Sequence, residues 1–444
     1  MTTTDLIIIG AGPGGYRAAE YAAKNGMKVI IFEGDEVGGT CLNRGCIPTK
    51  SFARNAEIMQ SLKEAQTFGL QDLQFRLDFK QVVERKNQVI TALRSGIETL
   101  LSHPNISLKR EKAYFVDAHS VKSESGDIYS ARNIMVATGS ESKMLKLEAC
   151  DESIICDSQW LLDNEELPQS LCIVGAGVIG MEFASIFNSF GVDVTVVEFL
   201  KECLPALDSD IAKRLRKTLE KRGVKFFMQS AVKAITGEGV TFERKGKRET
   251  VSAEKVLMAV GRAPRIGDDF SNAGFDFDSR LGISVNDNMQ TTVPHIYAIG
   301  DINGRQMLAH AAEMQAIRAV NHMLGKPDDI RLDIIPAAIF TNPEAGCVGL
   351  SEDKCKESGM EYSCRKAFYR ANGKALAMNE SEGMLKLLLD AKGKIIGCHV
   401  FGAHAADLAQ EASVLMCKNT TVKELRHMVH IHPTLSEVLL SAAE

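Results

Sequence analysis

Long apolar runs are missing from this 444-residue sequence; none approaches the ~20 residues that a membrane-spanning helix needs. An excess of one charge is missing too. The 52 Lys and Arg against 57 Asp and Glu leave a formal net charge of −5, which gives no electrostatic footing for nucleic acid or an anionic membrane surface. The opening Met1-Thr2-Thr3-Thr4-Asp5 has neither the basic region nor the apolar core of a secretory signal, so a cytoplasmic location is expected. Metal-ligand spacing is also absent: no CxxC…CxxC or Cys/His zinc pattern occurs among the eleven cysteines. That odd number, spread over a long chain, is not the dense framework of a small secreted scaffold.

The length exceeds one ordinary core, so two or three domains are expected. One cysteine pair stands out, within Gly38-Gly39-Thr40-Cys41-Leu42-Asn43-Arg44-Gly45-Cys46-Ile47-Pro48-Thr49-Lys50. Two thiols this close can act as a dithiol/disulfide couple, one attacking and one resolving, and a nearby helix N-terminus favours thiolate. The other reading is packing, since a free cysteine behaves as a small hydrophobe. Packing is expected for Cys150, Cys156, Cys172, Cys203, Cys347, Cys355, Cys364, Cys398 and Cys417.

Two dinucleotide fingerprints follow apolar strands. The strand Leu6–Ile9 leads into Gly10-Ala11-Gly12-Pro13-Gly14-Gly15, and Leu171–Val174 leads into Gly175-Ala176-Gly177-Val178-Ile179-Gly180. Each opens a helical pattern and is followed by a second apolar strand that ends in an acid, Glu33 after Val29–Phe32 and Glu198 after Val194–Val197. Both acids lie 23 residues beyond the first glycine. The first glycine (Gly10, Gly175) permits the tight turn, the second (Gly12, Gly177) lets backbone approach a pyrophosphate, and the third (Gly15, Gly180) lets helix pack on strand. The helix N-terminus takes the pyrophosphate and the acid takes the ribose hydroxyls. Glu198 repels a 2′-phosphate, which favours NAD over NADP at the second site; the other reading has Lys201 reach such a phosphate.

Further elements support this α/β class. Ile296–Ile299 is an apolar strand ending in Gly300-Asp301, and Asp301 either caps a following helix or sits beside a ribityl chain. Asn133–Val136 ends in Ala137-Thr138-Gly139-Ser140, which reads as a crossing between domains. Beyond Leu332 the texture becomes α+β. Strands are expected at Ile334–Phe340, Met384–Leu389 and Ile395–Val400, with a turn at Asp390–Lys394 and helices at Ala405–Lys418 and Val422–Val429. The chain ends in His430-Ile431-His432-Pro433-Thr434-Leu435-Ser436-Glu437 ahead of a final helix. Thr434 and Glu437 have capping-box spacing. Alternatively His432 is a general acid/base for a thiol with Glu437 orienting it, and a capping carboxylate can do both.

Seven segments in register, Gly10–Gly15, Gly38–Lys50, Ala137–Ser140, Gly175–Gly180, Ile296–Asp301, Met307–His310 and His430–Glu437, make the chain resemble the flavin-dependent pyridine nucleotide–disulfide oxidoreductases, in particular their dihydrolipoamide-oxidising branch. The resemblance implies two Rossmann-like dinucleotide-binding domains, for FAD (1–141 and 269–331) and NAD (142–268), plus an α+β C-terminal dimerisation domain (332–444). It makes Cys41 the interchange thiol facing substrate and Cys46 the thiol against the flavin. His432 from the other subunit is the base, with Glu437 holding its ring. Around FAD it places Gly10, Gly12, Gly15, Glu33, Thr40, Lys50 and Ala113, then Thr138, Gly139 and Ser140, and finally Gly300, Asp301, Met307, Leu308, Ala309 and His310. Around NAD it places Gly175, Gly177, Ile179, Gly180, Glu182, Glu198, Val232 and Gly261, and Lys50 and Glu182 are expected to meet near the flavin.

The implied activity is oxidation of dihydrolipoamide to lipoamide with reduction of NAD+, by a homodimer whose active site is shared between subunits. The implied partners are lipoyl domains, and through them 2-oxoacid dehydrogenase or glycine cleavage components. Glutathione-type reductases carry basic residues where Glu198 stands, and mercuric reductases end in a vicinal cysteine pair where this chain ends Leu440-Ser441-Ala442-Ala443-Glu444. A related disulfide reductase and a non-catalytic flavoprotein scaffold or redox sensor remain the alternatives. Arg44 and Thr49 stand where the branch usually has Val and Ser. Arg44 therefore adds a positive charge inside the redox loop, which favours thiolate or an acidic disulfide substrate.

Overall fold

The computed structural model describes residues 2–444, which form two compact units. The first comprises the chain to Ser51, Val83–Lys143 and Gly261–Leu332; the second comprises Phe52–Val82, Met144–Val260 and Asp333–Glu444.

The first unit is built on the strand Thr2–Ile9. It pairs in parallel with Val29–Phe32 and with Ile128–Val136. Ile106–Lys109 extends one side, Ile296–Ala298 adds a parallel strand beside Ile128–Val136, and the antiparallel strands Ser120–Ser123 and Ala113–Asp117 complete the sheet. Leu6, Ile7 and Ile8 are wholly buried, as expected of a parallel strand covered on both faces. On one face Ala18, Ala19 and Ala22 of helix Pro13–Lys24 pack with Ala316 and Ala319 of helix Ala309–Met323. Side chains this small let helix and sheet approach closely, which brings the N-terminus of Pro13–Lys24 to the strand ends. Phe115, Phe270 and Phe275 fill the other face in edge-to-face contact.

The second unit holds a five-stranded parallel sheet in the order Lys225–Phe227, Asp193–Val197, Ser170–Val174, Lys255–Met258, Ile155–Cys156. A smaller sheet contains Ala231–Thr236, Gly239–Arg244 and Lys247–Val251. The C-terminal part is an antiparallel sheet in the order Ala337–Ile339, Glu344–Gly349, Ile395–Gly402, Met384–Leu389, Ser363–Phe368. The helices Ala405–Cys417 and Glu437–Ala443 share its core. Lys386 of this sheet, 1% exposed, bridges Asp208 (2.7 Å) and Glu352 (2.6 Å). Asp208 also caps helix Ser209–Lys221, so the ion cluster ties the nucleotide-fingerprint region to the C-terminal sheet.

The expected turn at Asp390–Lys394 forms, with Gly393 N–H bonded to the Asp390 carbonyl. Two elements are shorter than expected. The strand over Ile334–Phe340 shrinks to Ala337–Ile339, after Pro336, which has no N–H for a ladder. The helix expected at Val422–Val429 stops at Leu425; Val429 is fully exposed and Ile431 79% exposed, so no burial holds a further turn. No helix among the described residues is long and apolar enough to cross a membrane.

Candidate active site

The two fingerprints fold into the same local structure. Gly10 and Gly175 both take φ of +106°, and a Cβ on either would press into a carbonyl oxygen, Ala137 O at 2.4 Å and Ala259 O at 2.5 Å. A Cβ on Gly15 or Gly180 would lie about 2 Å from the carbonyl of the loop's own first glycine. These positions exclude any side chain. The helices Pro13–Lys24 and Val178–Ser189 begin after Gly12 and Gly177 with no side-chain cap, leaving backbone donors and the dipole for an anion. A Cβ on Gly177 would meet nothing within 4 Å, so the loop has open space beside its backbone. Each acid closes its loop alike: Glu33 accepts the Ala11 N–H (2.7 Å) and Glu198 the Ala176 N–H (2.5 Å). Burial pushes the Glu33 carboxyl upward, opposed by the Ala11 bond and by Arg44 and Arg265.

Asp301 caps no helix. It lies within the 3-10 turn Gly300–Asn303, and helix Ala309–Met323 starts at Leu308 without a side-chain cap. Its carboxylate accepts the Ser140 hydroxyl (2.5 Å), which in turn accepts Arg262 Nε (2.7 Å). Burial raises the Asp301 carboxyl above its ordinary range. Thr138 and Gly139 adjoin this group, the Thr138 hydroxyl bonding the Arg265 carbonyl (3.2 Å). Met307, Leu308, Ala309 and His310 form the entry to helix Ala309–Met323. Just before them Gln306 Oε1 is buried without a hydrogen-bond partner. Gln306, five residues after Asp301 in the chain, thus offers an orphaned buried acceptor that fits a polar ligand such as a flavin's ribityl and ring edge. Ala113 lies buried at the start of strand Ala113–Asp117. In the second unit Glu182 is buried and accepts the Phe340 N–H (2.9 Å). Ile179 lies in helix Val178–Ser189, Val232 in strand Ala231–Thr236, and Gly261 takes φ of +100°.

Cys41 sits in the six-residue helix Gly39–Arg44, which Thr40 also occupies, and Cys46 begins the helix Cys46–Lys63. Both are thiols here. Cys41 is hydrogen-bonded to Cys46, and that bond, with burial, drives its pKa far above the ordinary thiol value; Lys50 acts in the opposite direction. The two side chains are thus within hydrogen-bonding reach of each other, and the Cys41 thiol is favoured over its thiolate. Arg44 does not act as a loose charge in the loop. It ion-pairs with Asp35 and biases Glu33, because its side chain turns from the sulfurs to the acidic turn after the second strand. Thr49 bonds the Gly45 carbonyl (2.6 Å). Six of the nine cysteines expected to pack are buried, but Cys150 and Cys417 are exposed and Cys364 is intermediate. Sequence reasoning passed over Tyr16, whose hydroxyl bonds Glu313 (3.2 Å) and whose pKa is raised by burial, by Glu313 and by Cys41. Its place one turn into the first fingerprint helix was the available signal.

In the tail one carboxylate serves an imidazole and a backbone N–H at once. Glu437 Oε1 meets His432 Nδ1 at 2.9 Å while Oε2 accepts the Thr434 N–H at 2.9 Å. The capping box itself is only half made, since the Thr434 hydroxyl donates to the Ile431 carbonyl and the helix begins at Glu437. The imidazole is 80% exposed. With Nδ1–H given to a carboxylate, Nε2 carries the lone pair.

The family model described as pyridine nucleotide-disulphide oxidoreductase matches residues 4–316, and that of the same family's dimerisation domain matches 335–443. The chain belongs to this family. It is an NAD-dependent flavoprotein disulfide oxidoreductase using FAD, and the C-terminal match supports a homodimer. Among relatives, the dihydrolipoyl dehydrogenase of Bacillus subtilis (strain 168) is 36% identical over 100% of this chain and 98% of its own length. That of Thermus scotoductus is 37% identical over 100% and 97%. Among solved structures, LpdA of Mycobacterium tuberculosis superposes with a TM-score of 0.90 at 27% identity, covering 100% of this chain and 99% of its own. The HOCl-induced flavoprotein disulfide reductase RclA of Escherichia coli gives 0.87 at 28%, covering 98% of each chain.

Proposed function

We propose that this protein oxidises dihydrolipoamide to lipoamide with reduction of NAD+ to NADH, using Cys41 and Cys46 as its redox couple. The observation that carries the reading is the contact between these two sulfurs, one on a short helix after a fingerprint strand and one at the head of the next. Full-length similarity to dihydrolipoyl dehydrogenases supports the substrate.

In the oxidised pair, a substrate thiolate attacks Cys41, forming a substrate–Cys41 bond as the Cys41–Cys46 bond breaks and Cys46 leaves as thiolate. The second substrate thiolate then attacks the substrate's own sulfur, closing lipoamide and releasing Cys41. His432 of the second copy takes the substrate's protons through Nε2, with Glu437 holding the ring and stabilising its charged form. Lys50 offsets the charge of the released thiolate. FAD and NAD supply the two-electron hydride chemistry that returns the dithiol to the disulfide.

Residues 1–141 and 269–331 hold FAD through the Gly10–Gly15 loop with Glu33, Thr40, Lys50, Ala113, the Thr138–Ser140 segment, Gly300, Asp301 and the Met307–His310 entry. Residues 142–268 hold NAD through the Gly175–Gly180 loop with Glu182, Glu198, Val232 and Gly261, and residues 332–444 form the dimer. The macromolecular partner is a lipoyl domain of a 2-oxoacid dehydrogenase or glycine cleavage complex, met by a homodimer in the cytoplasm. Cys41→Ser and Cys46→Ser test the couple: each is expected to abolish NADH formation from dihydrolipoamide while FAD stays bound. Turnover retained in either variant would overturn it.

A further inference from the structure

Asn43 lies between the two cysteines, and its amide is fully committed. Nδ2 donates to the carbonyls of Val37 and Gly39 (both 3.0 Å) and reaches that of Glu36 at 3.3 Å. Oδ1 accepts two bonds from one guanidinium, Arg94 Nε at 3.1 Å and Nη2 at 2.8 Å. Arg94 Nη1 then pairs with Glu36 at 3.2 Å. A single arginine in helix Phe79–Leu101 therefore grips both the turn at Glu36–Gly39 and the short helix that carries Cys41.

That helix needs an external hold. It has six residues and no side-chain cap at Gly38, far below the length at which a helix stands on its own. Its entry is committed to left-handed backbone, with φ of +97° at Gly38 and +59° at Gly39, and a Cβ on Gly39 would lie 2.7 Å from the Gly12 Cα. Cys46, by contrast, starts an 18-residue helix. The relative placement of the two sulfurs thus depends on how the Cys41 side is held.

We propose that Asn43 and Arg94 are positioning residues that set the reduction potential of the Cys41–Cys46 couple. A held dithiol closes its disulfide intramolecularly, and the effective concentration of one thiol at the other fixes the equilibrium against a free dithiol. Releasing the Cys41 helix lowers that concentration, so the disulfide becomes easier to reduce and the potential rises. The inference rests on reading this pair as the redox couple.

The test equilibrates the FAD-loaded full-length protein across dithiothreitol redox buffers, quenches in acid and alkylates, and counts labelled thiols at Cys41 and Cys46 by mass spectrometry. Asn43→Ala and Asn43→Asp are both expected to shift the equilibrium about tenfold toward dithiol, ~30 mV for a two-electron couple, since Asp keeps the Arg94 acceptor but loses the donors to the turn. Arg94→Lys, which keeps the charge facing Glu36 without the paired bonds, is expected to fall between these and wild type. Should Asn43→Ala fail to fold, Arg94→Lys carries the test. Folded variants whose midpoints stay within twofold of wild type would overturn the proposal. A wild-type protein that forms no disulfide in any buffer would instead overturn the redox reading beneath it.

Discussion

Glu437 divides its two oxygens between His432 Nδ1 and the Thr434 N–H, both at 2.9 Å. One carboxylate thereby fixes a backbone turn and aims an exposed imidazole. The turn bond and then His432 hold the Glu437 carboxyl below the ordinary carboxylate range. It is therefore the charged form that grips the ring.

Removing the imidazole should separate two activities. His432→Ala is expected to lower dithiol oxidation by about 10²–10⁴-fold, the usual worth of a positioned acid/base. NADH oxidation by an artificial one-electron acceptor should be spared. Steady-state assays of both activities check this, and equal loss of both would assign the tail a folding role only. Glu437→Gln is expected to fall between, since its amide oxygen can still accept one of the two bonds.

Glu198 accepts two backbone N–H groups, from Ala176 (2.5 Å) and Leu200 (2.7 Å), so it closes the loop in addition to the ribose contact proposed for it. Glu198→Gln is expected to raise KM for NAD+ about tenfold, the worth of a hydrogen bond to a charged group. It should also narrow the preference for NAD+ over NADP+, as repulsion of a 2′-phosphate is lost. Paired kcat/KM measurements with the two nucleotides decide it.

Much of this was legible because the chemistry is local. The two loops could be read from three glycines and an acid at a fixed offset, and the matched Glu33–Ala11 and Glu198–Ala176 bonds show why that offset recurs. Six residues of tail sequence likewise contained the His432–Glu437 pair. What escaped was long-range. Arg94 is 51 residues from Asn43 and Lys386 is 178 from Asp208, and no periodicity announces either partner. The misplaced capping box has a local cause: Thr421-x-x-Glu424 makes the complete box, whereas the Thr434 hydroxyl is drawn to the Ile431 carbonyl. Arg44 misled because a charge near two sulfurs in sequence turned out to face Asp35 in space.

The buried Lys386 cluster should be costly to break on one side. Lys386→Met leaves the buried Asp208 without its cation and Glu352 with Lys356 alone, and is expected to destabilise the protein by about 3–5 kcal/mol. The double variant Lys386→Met/Asp208→Asn should recover part of that. Chemical denaturation measures both, and a loss under about 1 kcal/mol for the single variant would show the cluster to be dispensable.

Beside it, His399 accepts the Asp208 N–H at Nδ1 (3.1 Å) and gives Nε2–H to the Leu350 carbonyl (3.1 Å). Burial depresses its pKa to about 4, with Lys386 in the same direction and Asp208, Asp353 and the Leu350 bond opposing. The unfolded chain, with an ordinary imidazole near 6.5, binds the proton first. Stability from this group is therefore full above about pH 6.5 and lost as pH falls toward 4, by roughly 3 kcal/mol. Glu352, held near 2 by Lys386 and Lys356, has the same sign at lower pH, from about 4.5 down to 2. Denaturation across pH 4–7 should show the first slope, and His399→Gln should flatten it.

The most direct measurement of the central claim is a steady-state comparison of wild-type protein with three substrate pairs: dihydrolipoamide with NAD+, lipoamide with NADH, and glutathione disulfide with NADPH. Turnover with both lipoamide pairs and at least a hundredfold lower kcat/KM with the glutathione pair is expected. Preference for glutathione disulfide and NADPH, or no thiol-dependent turnover from a protein that retains FAD, would contradict it.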